Sequence, residues 1–140
     1  VAAVEKFDAA YAKFNETLNK VNAEQSKKQI EKLKKDGKKG YAAAMESTLR
    51  LTTLVDNLEK APQKADKAAV EKELSEIEAL LKSINNDRGQ VLADRYNSVV
   101  GDVRQVLADP SDNNLNNMIE GFNGYIDTYN STTPDQFDAK

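Results

Sequence analysis

Cysteine, histidine and tryptophan are all absent from these 140 residues. Without cysteine there is no disulfide and no thiol chemistry. Without histidine, serine triads, His-paired nucleophiles, zinc sites built on His or Cys, haem ligation by histidine and the Glu-x-x-His pairs of di-iron bundles are all excluded. Glycine and proline are scarce, six and three residues, which leaves few places to break a helix. No apolar run approaches the roughly 18 residues that span a bilayer. What remains for chemistry is carboxylates and lysines, and no pattern of them reads as catalytic. The chain is therefore expected to be a non-enzyme with no cofactor.

Charge is abundant instead. Charged residues make up 31% of the chain and apolar residues 39%, with a net charge of −3. Such a balance suits a thin bundle with one narrow core, and gives no general attraction to nucleic acid or anionic lipid. The distribution is uneven, however. Lys27, Lys28, Lys32, Lys34, Lys35, Lys38 and Lys39 crowd one segment against Glu31 and Asp36, whereas after Asp109 the acids Asp112, Glu120, Asp127, Asp135 and Asp138 face only Lys140. The chain opens at Val1 without a methionine, which reads as a processed or trimmed start, compatible with the loss of an export signal.

Hydrophobic period predicts the helices. Val4, Phe7, Tyr11, Phe14, Leu18 and Val21 alternate spacings of three and four and align as one stripe. That helix is predicted to continue to about Lys35, with Gly37 and Gly40 as its stop. A second runs from about Tyr41 to Lys60 with Met45, Thr48, Leu51, Val55 and Leu58 inward, and Pro62 ends it. Asp66 is the expected N-cap of a third, whose inward row is Val70, Leu74, Ile77, Leu81 and Ile84. The next row, Leu92, Tyr96, Val99, Val103 and Val106, is out of phase by one residue, so a break is expected at Asn85-Asn86-Asp87-Arg88-Gly89. Asp109-Pro110 reads as a cap with proline at the first helical position, followed by a helix bearing Leu115, Met118, Phe122, Tyr125 and Tyr129. The fold class expected is all-α, an antiparallel up-down four-helix bundle with an additional C-terminal helical segment. Residues 1–130 form its single domain and residues 131–140 a flexible tail.

Several constellations have both a chemical and a plain reading. Glu71, Glu73, Glu76 and Glu78 form the densest carboxylate group, read as a solvated acidic helix face. Asp109, Ser111, Asn113, Asn117 and Glu120 fall at ligand places of a calcium loop, but Asn114 stands where the sharp turn needs glycine, and a capped helix start explains the same residues. Phe7, Tyr11, Phe14, Phe122, Tyr125 and Tyr129 read as core. Asn15-Glu16-Thr17 and Asn130-Ser131-Thr132 fit the N-glycosylation pattern, the second near the tail. The seven lysines have little aromatic interleaving beyond Tyr41, unlike a nucleic-acid binder. They are the candidate docking surface for a larger protein complex, bound partly by electrostatics.

Leu80-Leu81-Lys82-Ser83-Ile84, then Ala93-Asp94-Arg95-Tyr96 followed by Val99, Val103 and Val106-Leu107-Ala108, carry a resemblance. From Leu49 to Ala108 the chain is similar to the PsbQ-type extrinsic subunit of photosystem II, a four-helix bundle of the oxygen-evolving enhancer family. Asp109 to Tyr129 adds a helix beyond that family's last. The resemblance implies a non-catalytic accessory role in the thylakoid lumen, docked on a membrane-associated complex and helping to retain the calcium and chloride of the oxygen-evolving centre. The alternative reading is an extracytoplasmic sensor or ligand-binding bundle of a bacterial receptor.

Overall fold

The structure, a computed structural model, describes residues 23–84 and 86–138. Among them are five α-helices, α1 (Ala23–Lys35), α2 (Lys39–Lys60), α3 (Lys67–Lys82), α4 (Asp87–Ala108) and α5 (Asp112–Ser131). Short 3-10 turns follow α2 (Pro62–Lys64) and α5 (Pro134–Asp138), and no strand is formed among the described residues. The all-α bundle is as expected. The stripe from Val4 to Val21 lies outside the described residues.

Local chemistry explains where each helix begins and ends. Gly37 takes φ +81°, a left-handed conformation open to glycine without a side-chain penalty. Its N–H donates to Lys34 O (3.2 Å) and that of Lys38 to Leu33 O (2.9 Å), which closes the end of α1 as a Schellman motif. Asp66 accepts from the amides of Ala68 (3.0 Å) and Ala69 (3.4 Å), capping α3 as expected. Asn86 caps α4 by accepting from Gly89 N at 3.0 Å, so the break before α4 is also as expected. One cap differs: Ser111, not Asp109, accepts from Asn114 N (3.2 Å), and Pro110 stays outside the helix. The Asp109 carbonyl at the end of α4 accepts from Ser111 N and from Asn114 Nδ2 of α5, both at 2.8 Å.

Each helix from α2 to α5 packs on the next, and α5 returns against α2 to close a ring, with α1 laid on α2. Short connections make sequential neighbours antiparallel. The C-terminal helix, expected as an added segment, is therefore a full member of the ring, because its row of Met118, Ile119, Phe122, Tyr125 and Ile126 is buried. The inward rows of α3 and α4 are buried as the period predicts. Burying one such side chain contributes roughly 1.5–3 kcal/mol.

Helix α2 departs from a single stripe. Met45 is half-buried, while Ala42, Ala43, Ala44, Ser47, Thr52 and Leu54 join the core. The cause is position, since α2 touches α1 as well as α3, α4 and α5, and small side chains let neighbours approach from several sides. Its buried hydroxyls bond within the helix, Ser47 to Ala43 O (2.7 Å), Thr48 to Ala44 O (2.8 Å) and Thr52 to Thr48 O (2.7 Å). Thr48 has then used its proton, so Tyr125 OH is the donor in their 3.0 Å contact. Burial raises the pKa of that phenol.

Residues 132–138 do not form the loose tail expected. Phe137 is 2% exposed, and its ring stacks on Tyr41 and tilts against Tyr129. A lone phenylalanine in a polar stretch carries no period, so no local signal marks it as core.

Candidate docking surface

Lys27, Lys28, Lys32, Lys34 and Lys35 all lie on α1, Lys38 at the residue before α2, and Lys39 at its first position. All seven are exposed. The local reason is the scarcity of apolar side chains: among residues 27–35 Ile30 is buried, at 4% exposure, and Leu33 is half-buried. Lys28, Lys32 and Lys35 recur at i, i+4 and i+7, which puts them on one face, away from Ile30.

The seven lysines concentrate unmatched charge in one segment. None of the seven makes an ion pair among the described residues, and Glu31 and Asp36 are the only carboxylates within their span. Like charges at i,i+4 on a helix cost roughly 0.2–0.5 kcal/mol per pair. Lys28–Lys32 is such a pair, offset by the opposite pairs Lys27–Glu31 and Glu31–Lys35, so the main result is a positive field directed outward. Lys28, Lys32 and Lys38 also rim a shallow depression with Gln29, Leu33 and Asp36.

The carboxylates of α3 lie on the surface as expected and are, in addition, paired. Arg50 of α2 pairs with both Glu73 and Glu76. Arg104 of α4 holds Glu71 with two hydrogen bonds, 3.1 and 3.2 Å, and these keep the Glu71 carboxyl below its ordinary value. Glu78 pairs with Lys82 one turn on, at 3.0 Å. The two arginine ties join neighbouring helices across the surface. Sequence reasoning missed them because Arg50 and Glu76 lie 26 residues apart, beyond any helical spacing.

A groove of about 700 Å³ runs between α2 and α3, lined by Leu54, Leu58, Ala65 and Val70 with Lys27 and Lys64 among its charged residues. The calcium-loop pattern forms no loop, since residues 112–120 are helical. Among the described residues no cluster of three or more carboxylates is placed to hold a metal ion. Phe122 and Tyr125 are core, and Tyr129 packs on Phe137. Phe7, Tyr11, Phe14 and the Asn15 pattern lie outside the described residues, while Asn130 is exposed at the end of α5. No described helix is long and apolar enough to cross a membrane. Compared with known protein families, characterised proteins and solved structures, the chain matches none.

Proposed function

We propose that this chain is a non-catalytic accessory protein that docks on the acidic face of a larger protein assembly through the lysines of α1 and the α1–α2 turn. One observation carries the reading: seven exposed lysines without ion-pair partners among the described residues, in a molecule whose Arg50 and Arg104 are both matched to glutamates. A positive patch of this kind speeds encounter and selects an acidic partner, and its contribution falls with salt. Its exposed face carries no large apolar side chain, Val91 on α4 being the sole exposed large hydrophobic among the described residues. That favours reversible electrostatic docking over a permanent apolar interface.

The narrower form of the proposal rests on the resemblance from Leu49 to Ala108. It is a PsbQ-like subunit at the lumenal face of photosystem II, in an extracytoplasmic setting. The second reading, a sensor or ligand-binding bundle, draws on the groove between α2 and α3.

The test is the native size of the species carrying the protein in gently solubilised source membranes, before and after a wash at about 1 M salt, where the screening length shrinks to roughly 3 Å. Co-migration with a large complex, lost after the wash, is the expected result. A complex without photosystem II components removes the narrower form alone. Migration as the free chain in both conditions overturns docking and leaves ligand binding. In a purified system, the triple variant Lys28→Glu, Lys32→Glu, Lys35→Glu is expected to bind the isolated complex at least about tenfold more weakly at low salt.

A further inference from the structure

We infer that the C-terminal turn Pro134–Asp138 is a clasp that fixes the first turn of α2, and with it the lysines at the α1–α2 corner. The inference goes beyond docking, since it concerns how the surface is held whatever it binds. The Asp138 carboxylate accepts from the amides of Gly40 (2.6 Å) and Tyr41 (3.1 Å), from 98 and 97 residues away. These N–H groups open α2 and have no acceptor within the helix. The Phe137 ring lies between Tyr41 and Tyr129, with centroids 6.1 and 6.0 Å away. Asn86 adds the third tie. Its Nδ2 donates to the carbonyls of Gln136 (3.0 Å) and Phe137 (2.9 Å), while its Oδ1 caps α4. Five residues thus fasten the start of α2, the start of α4 and the end of α5.

Gly40 shows how close the approach is. A Cβ there would overlap the carbonyl of Phe137 and crowd the Asp138 carboxylate, so a side chain at position 40 and a closed clasp are incompatible. Lys38 and Lys39 sit between this glycine and the left-handed Gly37. The direction in which they project follows from where α2 begins. The clasp has one buried ring and an exposed pair of hydrogen bonds at Asp138. Few buried contacts and exposed bonds are the signature of a unit that opens below the global unfolding free energy. Opening it frees the α1–α2 corner and leaves the ring of α2 to α5 closed.

Amide hydrogen exchange on the full chain tests this, comparing the wild type with Asp138→Asn, Phe137→Ala and the control Asp135→Asn. Asp135 is exposed in the same turn, and its substitution makes the same charge change. In Asp138→Asn the amides of Gly40 and Tyr41 are expected to exchange about tenfold faster, the scale set by losing bonds to a charged acceptor. The Ala42 amide, bonded to Lys38 O at 3.1 Å, should follow. Phe137→Ala should have a larger effect, with Leu115 N, bonded to Ser111 O at the far α4–α5 corner, unchanged. Unaltered exchange at Gly40 and Tyr41 in both variants overturns the clasp, as does acceleration spread evenly over all helices. Binding to poly-glutamate at low salt separates this from docking. A clasp that orients the lysines makes Asp138→Asn bind more weakly than Asp135→Asn, and equal affinities overturn the orienting role. If the wild type itself does not bind, the docking reading fails, and exchange still decides the clasp.

Discussion

On α3, Glu71, Glu73, Glu76 and Glu78 each meet a guanidinium or an ammonium group, whereas on α1 and its corner seven lysines meet no carboxylate among the described residues. Both segments are rich in charge, but the four glutamates of α3 alternate with Lys67, Lys72 and Lys82, whereas the α1 segment is strongly biased to one sign. They differ in what the fold places beside them. Helix α3 lies between α2 and α4 and receives an arginine from each. Helix α1 packs on α2, and Arg50, the arginine of α2, reaches to α3 instead. The arginine–glutamate pairs of the ring tie neighbouring helices together, while the lysines of α1 make no such tie among the described residues; under the proposed function they are the ones that meet an external partner.

The comparison is broken most directly in the ring. Leu92 is fully buried, and Leu92→Ala is expected to destabilise by about 2–5 kcal/mol in urea unfolding, the range for large-to-small core substitutions. Its affinity for an acidic partner, measured where it is still folded, should be unchanged. The reverse dissociation belongs to the lysines, and a loss of binding in Leu92→Ala would show that the two surfaces are not independent.

A smaller effect distinguishes paired from unpaired charge. Arg50→Ala removes the tie to two glutamates but acts on side chains about one-third to one-half exposed, so the expected loss is only about 0.2–1 kcal/mol and shrinks with added salt. Lys32→Ala should shift stability by no more than about 0.5 kcal/mol, towards higher stability as like-charge repulsion is relieved. A salt-independent loss at Lys32 would mean that it has a partner after all.

The smallest effect lies on the α4–α5 seam, where carboxylates of like sign approach one another. Burial, with the Glu120 carboxylate as the second cause, raises the pKa of Asp102 above its ordinary value. The neighbouring Gly121 lacks the Cβ that would press on this carboxylate. A raised carboxyl pKa means that the folded state binds the proton more tightly than the unfolded chain. Stability from this site is therefore full below the unfolded value and is lost as pH rises through the folded value. Asp102→Asn is expected to raise the melting temperature at pH 7, with the gain vanishing as the medium is made acidic. A gain that persists at acid pH would reject the electrostatic cause.

Most of the fold was legible because it is written in short spacings. The rows Val70 to Ile84 and Leu92 to Val106 are buried as their period requires, and Asp66 and Asn86 cap the helices they precede. The lysine cluster was visible as composition, and its exposure followed from the scarcity of apolar side chains, Ile30 and Leu33 alone between Lys27 and Lys35. The cap before α5 was misplaced by two residues because Asp109 and Ser111 are both competent capping residues. Only the backbone path chose between them.

The sequence by itself determined the helices, their breaks and the clustering of lysines, since helix formation and capping depend on residues within about four positions of one another. The tertiary structure decided the rest: that α5 closes the ring, that Arg50 meets Glu73 and Glu76, and that Phe137 and Asp138 return to hold the start of α2. Those contacts join residues 23 to 98 positions apart. Their energy depends on how whole helices pack, and the side chains involved carry no local period to announce it.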